Sequence, residues 1–502
     1  MDATALAGRR VLVTGAGVSG VSAARALVAV GAEVTVADGS ERRLAELDLP
    51  GVDTLAGAAR PPEGTELVVT SPGWRPDSPL LTAAAAEGIE VVGEVELAWW
   101  IDQARPAGPA TWLAVTGTNG KTTTVGMLEA MLRAAGIDAV ACGNVGLPVV
   151  DAVLAGHRVL AVELSSFQLH WSPSVRPAAG AVLNIAEDHL DWHGSLAAYM
   201  AAKARLLTGD VAIAGVDNER AARMLAESPA RRRVAARLGE PAPGEFGVSR
   251  GRLVDRAFAA SPDATAAEQG PGPDDGEGSG TVVLAEVEDV HPSGPPGVTD
   301  ALVAAALARA HGLAPAAVRA GLREFQPGAH RSVVVARVAG LTFVDDSKAT
   351  NPHAAAASLL GHDRVVWLAG GLLKGASVDD LVREARTRLA GVVLFGADRD
   401  VFAAALARHA PEVPVRTVLS GDDSAMARVV TVARELAGDE ETVVLLAPAA
   451  ASMDMFTDYR QRGDRFVEAV ESLVAGEPAG DPGRPGRAPA AGGGGAGRRG
   501  AR

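Results

Sequence analysis

The chain has 502 residues, of which 48% are hydrophobic and 22% are charged, and its formal net charge is −14. The length predicts about three domains, and the acidic balance argues against a protein dedicated to nucleic acid or to an anionic membrane surface. No apolar run reaches the roughly 18 residues of a membrane span, and the single cysteine, Cys142, excludes an internal disulfide. We therefore expect a cytoplasmic protein without a membrane span.

The first predicted elements are a strand at residues 10–14, a glycine-rich turn, a helix and a second strand at residues 33–37. The turn reads G-A-G-V-S-G at residues 15–20, and the second strand ends at Asp38. A G-x-G-x-x-G turn with an acidic residue about 20 positions later is the dinucleotide-binding fingerprint. By itself this segment favours an NAD(P)-dependent dehydrogenase, which is the first alternative.

A second glycine-rich loop, T-G-T-N-G-K-T-T at residues 116–123, is the stretch around which the rest of the chain is organised. It follows a predicted buried strand, residues 112–115, and precedes a predicted helix, residues 125–134. Backbone N–H groups at a helix start, a lysine and a threonine hydroxyl together bind nucleotide phosphates and Mg²⁺. The standard pattern G-x-x-x-x-G-K-[ST] is not met, because position 115 is Val115 and the loop is two residues shorter. An ATP-hydrolysing switch protein is the second alternative.

Two further central strands end on candidate metal ligands. Residues 159–164 carry Glu163 at their end, and residues 181–185 lead into Asp188 and His189. A carboxylate at a strand end beside a phosphate loop is the usual place for a Mg²⁺ ligand. We therefore predict a magnesium site at this edge of the sheet.

The last third of the chain alternates strands with helical spacing and predicts a second doubly wound sheet. Polar or glycine-rich loops follow three of its strands, at the carboxyl ends where such sheets bind ligands. The predicted strands are residues 341–345, 365–369, 392–395 and 442–446, and the loops are residues 346–352, 370–375 and 447–456.

Lysine is scarce, since only four of the 47 basic residues are Lys: Lys121, Lys203, Lys348 and Lys374. Arginine serves most surface positions equally well. The remaining lysines are therefore expected where a compact ammonium or a reactive amine is needed.

These elements predict an α/β chain with an N-terminal Rossmann-like domain, a central ATPase-type α/β domain and a C-terminal Rossmann-like domain. The predicted domains are residues 1–105, 106–327 and 328–473. A disordered insert at residues 261–280 and a disordered tail at residues 474–502 follow from their Gly, Pro and Ala content. After the insert, a helix is predicted from about residue 299 to residue 310. We expect hinges near residues 103–109 and 327–328.

At this point the motifs resemble those of the Mur ligases, the ATP-dependent amide ligases of peptidoglycan synthesis. The phosphate loop matches that family's shorter loop. The segments L-S-S-F-Q-L at residues 164–169, D-S-K-A-T-N at 346–351 and A-S-M-D-M-F at 451–456 look like those of the members that add D-glutamate to UDP-N-acetylmuramoyl-L-alanine. The resemblance covers roughly residues 1–473.

The resemblance implies small-molecule substrates and a role for each motif, in a protein expected to be monomeric. ATP would be bound by Gly117, Thr118, Asn119, Gly120, Lys121, Thr122, Thr123, Arg331, Asp346 and Lys348. Two Mg²⁺ ions would be held with the help of Thr122 or Thr123, Glu163, His189 and Lys203, the last carbamylated by CO₂. The UDP substrate would be contacted by Gly17, Val18, Ser19, Asp38, Gly73, Asn144, Ser165 and Gln168. D-Glutamate would be held by Thr350, Lys374, Ser452, Met453 and Tyr459. Lys121, Lys203 and His189 would be the catalytic residues.

Three positions depart from the family pattern. Ser40 stands where an arginine would contact the uracil. The adenine-side Gly-x-His-Asn is G-P-P-G at residues 294–297, followed by Asp300 where a second Asn is common, and Leu372 replaces an acidic residue. The third alternative is therefore a ligase of the same family that adds another amino acid, or that adds glutamate to folate.

Overall fold

The computed structural model describes residues 6–258, 280–419, 424–438 and 441–476. Within these residues the fold is α/β with three separate sheets, as the sequence predicted. None of the described helices is long and apolar enough to span a membrane.

The first sheet has five parallel strands in an order that winds outward in both directions from the first strand. Its strands are β1 Arg10–Thr14, β2 Glu33–Asp38, β3 Asp53–Ala56, β4 Leu67–Thr70 and β5 Glu90–Gly93. Its helices are α1 Val18–Ala29, α2 Glu41–Ala45, α3 Pro79–Ala86 and α4 Glu94–Gln103. The order β3-β2-β1-β4-β5 places the glycine loop after β1 at the point where the winding reverses, which is where such sheets bind ligands.

The central sheet has nine strands within the described residues. They are β6 Thr111–Thr116, β7 Ala139–Gly143, β8 Val159–Glu163, β9 Ala179–Val182, β10 Val211–Gly215, β11 Arg232–Ala236, β12 Glu245–Ser249, β13 Arg252–Asp255 and β14 Val282–Glu286. The helices are α5 Lys121–Ala134, α6 Val149–Leu154, α7 Ser166–His170, α8 Leu190–His193, α9 Leu196–Ala204, α10 Glu219–Ala226, α11 Pro295–Ala310 and α12 Pro315–Glu324. In the order β14-β13-β12-β11-β10-β9-β6-β8-β7, strand β6 lies between β9 and β8 and parallel to both. The loops that follow these three strands therefore meet at one edge.

The third sheet is parallel except for its first strand, which pairs antiparallel with the next. Its strands are β15 Val333–Val338, β16 Leu341–Asp345, β17 Val365–Gly370, β18 Leu389–Phe395, β19 Val415–Thr417 and β20 Thr442–Leu446. Its helices are α13 Pro352–Leu360, α14 Asp379–Ala385, α15 Arg399–His409, α16 Ala425–Ala437 and α17 Tyr459–Ala475. The order is β15-β16-β20-β17-β18-β19, so the loops after β16, β17 and β20 share an edge.

Two predicted boundaries inside the central segment are wrong. The strand predicted at residues 181–185 is β9, which begins at Ala179 and ends at Val182, because the Asn184 side chain beyond it binds the backbone of Asn119. The helix predicted at residues 299–310 begins at Pro295. Proline is favoured in the first helical turn, where its missing N–H costs no hydrogen bond.

The structure describes only small parts of the two stretches that were predicted to be disordered. The insert at residues 261–280 lies outside the described residues apart from Gly280, and so do residues 477–502 of the tail. The tail was predicted to begin at residue 474, whereas α17 continues to Ala475. The helix extends because Leu473 and Val474 pack against an apolar cluster of the third sheet.

The first and central sheets share a hydrophobic core. One cluster joins buried side chains before the linker, such as Leu27 and Trp100, with Trp112, Val150 and Leu160 after it. By contrast, the buried members of the two clusters of the third sheet come only from residues 341–470 of the described chain. We call the contact between the first and central sheets, formed by this shared cluster, the packed seam.

The linker between the first and central sheets, residues 104–110, is held in place by hydrogen bonds to Asp102. This fully buried carboxylate accepts the Ala110 N–H with both oxygens at 3.0 Å and the Trp112 indole N–H at 2.9 Å. Arg105 donates to Asp102 at 3.1 Å and to the Gly156 carbonyl at 2.9 Å. Together with the shared core, these bonds disfavour motion at the first predicted hinge, near residues 103–109. The second hinge, near residues 327–328, stays a prediction.

Candidate active site

A cavity of about 640 Å³ lies between the edge of the central sheet and the third sheet. We call it the cleft. It is lined by all the predicted ATP residues and all the predicted metal ligands, together with two of the predicted UDP-substrate residues and one of the D-glutamate residues. These are Gly117, Thr118, Asn119, Gly120, Lys121, Thr122, Thr123, Asn144, Glu163, Ser165, His189, Lys203, Arg331, Asp346, Lys348 and Thr350.

The phosphate loop is held in place by its neighbours rather than by its own sequence alone. Asn184 accepts the Asn119 N–H at 2.9 Å and donates to the Asn119 carbonyl at 3.2 Å. Gly120 ends the loop with φ of 88°, in the left-handed region that favours glycine, and precedes α5. A Cβ at Gly120 would stand 2.2 Å from the Asp300 carboxyl group. The loop therefore tolerates no larger residue there.

Two lysines contact the loop, and both donate to the Gly117 carbonyl. Lys121 Nζ donates to the carbonyls of Gly117 at 3.0 Å and Thr118 at 2.9 Å. Lys203 Nζ donates to Thr116 Oγ1 at 3.1 Å and to the Gly117 carbonyl at 2.7 Å. Lys203 is 1% exposed, so it does not occupy a solvated helix surface. Burial, and then the charge of Lys121, lower the pKa of Lys203 well below its ordinary value.

Glu163 connects the loop to the neighbouring strand. Its buried carboxylate accepts the Thr122 hydroxyl at 2.7 Å on one oxygen and the Asn144 side-chain amide at 2.8 Å on the other. Strand β8 delivers this residue because Glu163 pairs in register with Val115, which is next to the loop. The carboxylate thus lies at the predicted strand end and faces the loop.

His189 also lines the cleft. Its Nε2 is 3.5 Å from Asp188 Oδ2, and its ring lies 4.6 Å from the Phe167 ring, measured between centroids. Burial lowers the pKa of His189. A neutral imidazole nitrogen is the form that binds metal.

The third sheet contributes charged groups to the far side of the cleft. Asp346 accepts the Ser332 N–H at 3.2 Å, and burial raises the pKa of Asp346 to about 6. The Lys348 ammonium lies 3.9 Å from the centroid of the Tyr459 ring. Burial, and then Arg331, lower the pKa of Lys348 to about 8.

The remaining predicted D-glutamate residues are outside the lining of the cleft: Lys374, Ser452 and Met453 lie on loops, and Tyr459 begins α17. Lys374 has φ of 53°, and Met453 is 64% exposed. The loops that carry Lys374 and Ser452 are tied together, since Leu372 and Ala451 exchange backbone hydrogen bonds of 2.8 and 2.9 Å.

The predicted UDP-substrate residues fall in two places. Asn144 and Ser165 line the cleft, whereas Gln168 is buried and its side-chain oxygen accepts the backbone N–H of Ser165 at 2.9 Å. Asp38 lies in the first domain, where its two carboxylate oxygens accept the N–H groups of Ala16 and Ser40 at 2.8 Å. Gln168 and Asp38 therefore hold loops in place.

The glycines in the loop of the first domain differ in what surrounds them: two are required by close protein contacts, and one has open space beside it. A Cβ at Gly20 would stand 1.8 Å from the Gly15 carbonyl oxygen, and one at Gly15 would stand 2.5 Å from Ser71 Oγ. Among the described residues, no atom apart from those of its chain neighbours lies within 4 Å of the Cβ position at Gly17. The space beside position 17 fits close approach of a ligand to its backbone.

Sequence reasoning missed residues whose importance comes from long-range contacts. Arg462 is fully buried on α17 and donates to Ser347 Oγ at 3.0 Å, the Ser347 carbonyl at 2.8 Å and the Ala450 carbonyl at 3.0 Å. It thereby joins the loops that follow β16 and β20. No local signal marks it among the other charged residues of its helix.

The cleft is bridged by side-chain amides that the sequence did not connect. Asn351 Nδ2 donates to Asn119 Oδ1 at 2.9 Å, and Asn119 Nδ2 lies 3.1 Å from His353 Nδ1. Asn351 also caps α13 by accepting the Ala354 N–H at 2.9 Å. The scarcity of asparagine, with five in the chain, was the available signal.

The amino-acid sequence matches two domain families. The N-terminal domain of MurD-like Mur ligases matches residues 9–93, and the Mur ligase middle domain matches residues 115–242. A protein of Nocardia farcinica named UDP-N-acetylmuramoylalanine–D-glutamate ligase is 52% identical over 496 residues, which cover 95% of this chain and 99% of that protein. A protein of the same name from Thermobifida fusca is 54% identical over 483 residues, which cover 93% and 99%.

Two solved structures share the fold. The UDP-N-acetylmuramate-alanine ligase MurC of Thermotoga maritima matches with a TM-score of 0.54 and 19% identity, over 93% of this chain and 99% of that one. A pseudomurein peptide ligase type C of Methanothermus fervidus matches with a TM-score of 0.54 and 15% identity, over 93% and 100%. At these identities the likeness shows the fold alone.

Proposed function

The chain belongs to the Mur ligase family, and we propose that it joins D-glutamate to UDP-N-acetylmuramoyl-L-alanine while cleaving ATP to ADP and phosphate. The observation that carries the proposal is that relatives bearing this ligase's name match nearly the whole chain at about half identity. In this proposal residues 1–105 hold the UDP part, residues 106–327 hold ATP and residues 328–473 hold D-glutamate. The enzyme acts as a monomer in the cytoplasm.

The reaction has two steps. A carboxylate oxygen of the UDP substrate attacks the γ-phosphorus of ATP, the bond to ADP breaks, and an acyl phosphate forms. The D-glutamate nitrogen then attacks the acyl carbon, an amide bond forms, and phosphate leaves with a proton released from nitrogen. Positioning and neutralisation of phosphate charge provide the catalysis.

The phosphate loop and the third sheet are arranged to perform the first step. Lys121 at the start of α5 would turn from the loop carbonyls to the transferred phosphate. Lys348 and Arg331 would reach the nucleotide from the third sheet, with Asp346 beside them. Since Lys121 and Lys348 lie on different domains, approach of the third domain completes the site.

The side chains beside the loop fit Mg²⁺. Thr122 and Glu163 offer hydroxyl and carboxylate oxygens, the kind of ligand that Mg²⁺ prefers, and these oxygens already lie 2.7 Å apart. Within the described residues no group of three or more His, Cys, Asp or Glu side chains could hold a metal by itself. This agrees with an ion completed by water and phosphate oxygens. Thr122 or Thr123 and Glu163 would hold one ion, His189 would help to hold a second, and the ions would offset phosphate charge.

Lys203 is proposed to carry a carbamate. Its neutral amine nitrogen attacks the carbon of CO₂, an N–C bond forms, and one proton leaves the nitrogen, so that the group becomes an anion. Among the residues that the structure describes, the neutral hydroxyl of Thr116 is the only side-chain hydrogen-bond partner of Lys203 Nζ, so no carboxylate is bonded to the buried ammonium. The charge of Lys121, which disfavours an ammonium at Lys203, would favour an anion there.

The substrates would lie between the glycine loop of the first domain and the cleft. Gly17, Val18 and Ser19 start α1 and would receive the UDP diphosphate at the helix N-terminus. Asp38 and Gly73 would lie beside the nucleoside, and Asn144, Ser165 and Gln168 would be near the muramoyl-alanine end. The D-glutamate carboxylates would be held by Thr350, Lys374, Ser452, Met453 and Tyr459.

The test is amino-acid-dependent phosphate release. Purified enzyme with ATP, Mg²⁺ and UDP-N-acetylmuramoyl-L-alanine is expected to release phosphate when D-glutamate is added, and not when L-alanine, L-glutamate or a diamino acid is added. Stimulation by a different amino acid would favour another ligase of the family. Phosphate release at the same rate with and without an amino acid would favour the ATP-hydrolysing switch protein.

A further inference from the structure

A second cavity, of about 290 Å³, lies in the first domain at the end of β2. Its walls are mainly apolar, and Asp38 is the one ionisable side chain among its lining residues. The apolar walls are formed by Ala58, Ala59, Trp74, Pro79 and Leu80. Ligand pockets commonly hold about 300–1,000 Å³, so this cavity suits one ring of a ligand rather than a whole sugar nucleotide.

Trp74 connects this cavity with the glycine loop. Its half-buried indole packs against the apolar cluster that includes Leu12 and Leu80, and it also lines the cavity. Its Nε1 lies 3.2 Å from the position that a Cβ at Gly15 would take. The backbone N–H of Trp74 donates to the Ser71 carbonyl at 3.1 Å, which fixes the turn that carries the ring. A ligand bound along the glycine loop would therefore meet the indole at the cavity.

No cation faces the cavity from its lining residues. Ser40, which stands where the family resemblance implies an arginine, instead caps α2 by accepting the Arg43 N–H at 3.4 Å. The Arg42 side chain is 83% exposed and lies 3.8 Å from Glu46 on the surface of α2. The carboxylate of Asp38, in turn, disfavours an anionic group in the cavity. These surroundings favour a neutral planar ring.

We propose that the Trp74 indole stacks on the uracil ring of the UDP substrate and provides the base contact that an arginine side chain would otherwise make. The inference rests on the proposed function and adds a specificity-determining residue to it. Stacking on an aromatic side chain contributes roughly 1–3 kcal/mol per base, which corresponds to about a ten- to hundredfold difference in affinity. It requires a flat, conjugated ring.

The test measures binding of UDP and of 5,6-dihydro-UDP by calorimetry. Saturation of C5–C6 puckers the ring and removes its aromatic face, but it keeps the carbonyl and N–H groups of the pyrimidine edge. The wild-type protein should bind UDP about ten- to a hundredfold more tightly than dihydro-UDP. Trp74→Leu and Trp74→Ala should lose most of that preference through weaker UDP binding, whereas Trp74→Phe should keep part of it. ATP binding serves as the folding control for each variant.

The outcomes separate this inference from the proposal on which it rests. If the wild-type protein binds no UDP, the proposed function and the inference fall together. If UDP binds but Trp74→Leu keeps the wild-type affinity or the wild-type preference for UDP, the stacking role is overturned and the proposed function stands. If Trp74→Ala fails to bind ATP, the stacking role is judged from the preference for UDP over dihydro-UDP in Trp74→Leu compared with Trp74→Phe.

Discussion

The two contacts of the central sheet differ in what fills them. The packed seam with the first sheet contains a shared apolar core, into which Glu94 and Asp102 are fitted as hydrogen-bonded carboxylates. The cleft toward the third sheet contains a polar cavity of about 640 Å³, bridged by the side-chain amides of Asn119 and Asn351. Apolar cores are close-packed and resist displacement, whereas a few exposed hydrogen bonds are exchanged with water at low cost.

This difference suggests a division of labour. Under the proposed function, the first and central domains would act as one body that fixes the distance between the proposed UDP site and the phosphate loop. The third domain would approach and bring Lys348 and the proposed D-glutamate loops to the acyl phosphate. We therefore expect UDP binding to depend on the packed body and the chemical steps to depend on the cleft.

The largest effect is expected from Lys121→Ala. Without the ammonium, the transferred phosphate loses a charged partner in a buried site, and acyl-phosphate formation should fall by roughly a thousandfold. Binding of UDP should not change, because Gly17 and its loop belong to the other end of the packed body. Calorimetry with UDP and single-turnover phosphate transfer measure the two effects. A comparable loss of UDP affinity would contradict the separation of UDP binding in the packed body from phosphate transfer in the cleft.

Lys203→Ala should lower ligation by roughly a hundredfold or more, because it removes the proposed carbamate from the cleft. Acetate or formate should restore part of the activity by placing a carboxylate in the vacated space. Lys203→Arg is the matched control: its guanidinium does not react with CO₂, and a small acid has no room beside it. Near-wild-type ligation by Lys203→Ala without added acid would sink the carbamate proposal.

Glu94 tests the packed seam through pH. Its carboxyl group accepts the Val150 N–H at 2.7 Å, and burial raises the pKa of Glu94 from 4.5 to about 7. Below pH 4.5 both the folded and the unfolded states are protonated. Between pH 4.5 and about 7 the unfolded state loses the proton first, so the stability that this group contributes falls as pH rises. At 1.36 kcal/mol per pKa unit, the loss reaches up to about 3 kcal/mol.

Glu94→Gln should remove this pH dependence, since the amide oxygen can still accept from Val150 and carries no charge. Relative to wild type, the variant should gain stability between pH 5 and pH 8, measured by urea unfolding. Glu412→Gln, at an exposed position of the third domain, is the control and should change nothing. An equal pH profile for wild type and Glu94→Gln would show that Glu94 is not buried as the packed seam requires.

The smallest effect is expected from the amide bridge across the cleft. Asn119→Ala removes the side-chain bonds to Asn351 and His353 and leaves the loop backbone bonded to Asn184. A net loss of about 0.5–1.5 kcal/mol predicts a two- to tenfold lower kcat/KM. Because Asn351 also caps α13, the coupling in a double-mutant cycle with Asn351→Ala isolates the bridge from the cap. Additive losses would mean that the two amides act independently.

Hydrogen exchange with and without ATP and UDP substrate compares the two contacts directly. We expect residues 104–110 to keep the same protection in both states, and residues 325–332 to change when the third domain closes. Small-angle scattering should show a smaller radius of gyration with both ligands. Ligand-dependent exchange in the linker would restore the first predicted hinge.

Several features of the site followed from the sequence because they depend on neighbouring residues along the chain. A strand, a glycine-rich turn and a helix start are local, so the phosphate loop with Lys121 was recognisable, and so was the glycine loop with Gly17. Glu163 could be placed because parallel strands deliver their carboxyl ends to one edge. The resemblance to a known family then connected these loops to ATP and a UDP substrate.

Other features were decided by the tertiary structure alone. Asn119 and Asn351 are separated by 232 residues and meet only because two sheets face each other. Arg462 acquires its partners, and Trp74 its cavity, from elements that local patterns do not bring together. Whether a linker acts as a hinge or as a fixed turn depends on what packs around it. Composition predicted a hinge near residues 103–109, whereas the hydrogen bonds of Asp102 hold that linker as a fixed turn. The physical reason is that local patterns encode backbone conformation, whereas burial and side-chain pairing are set by chain segments distant in sequence.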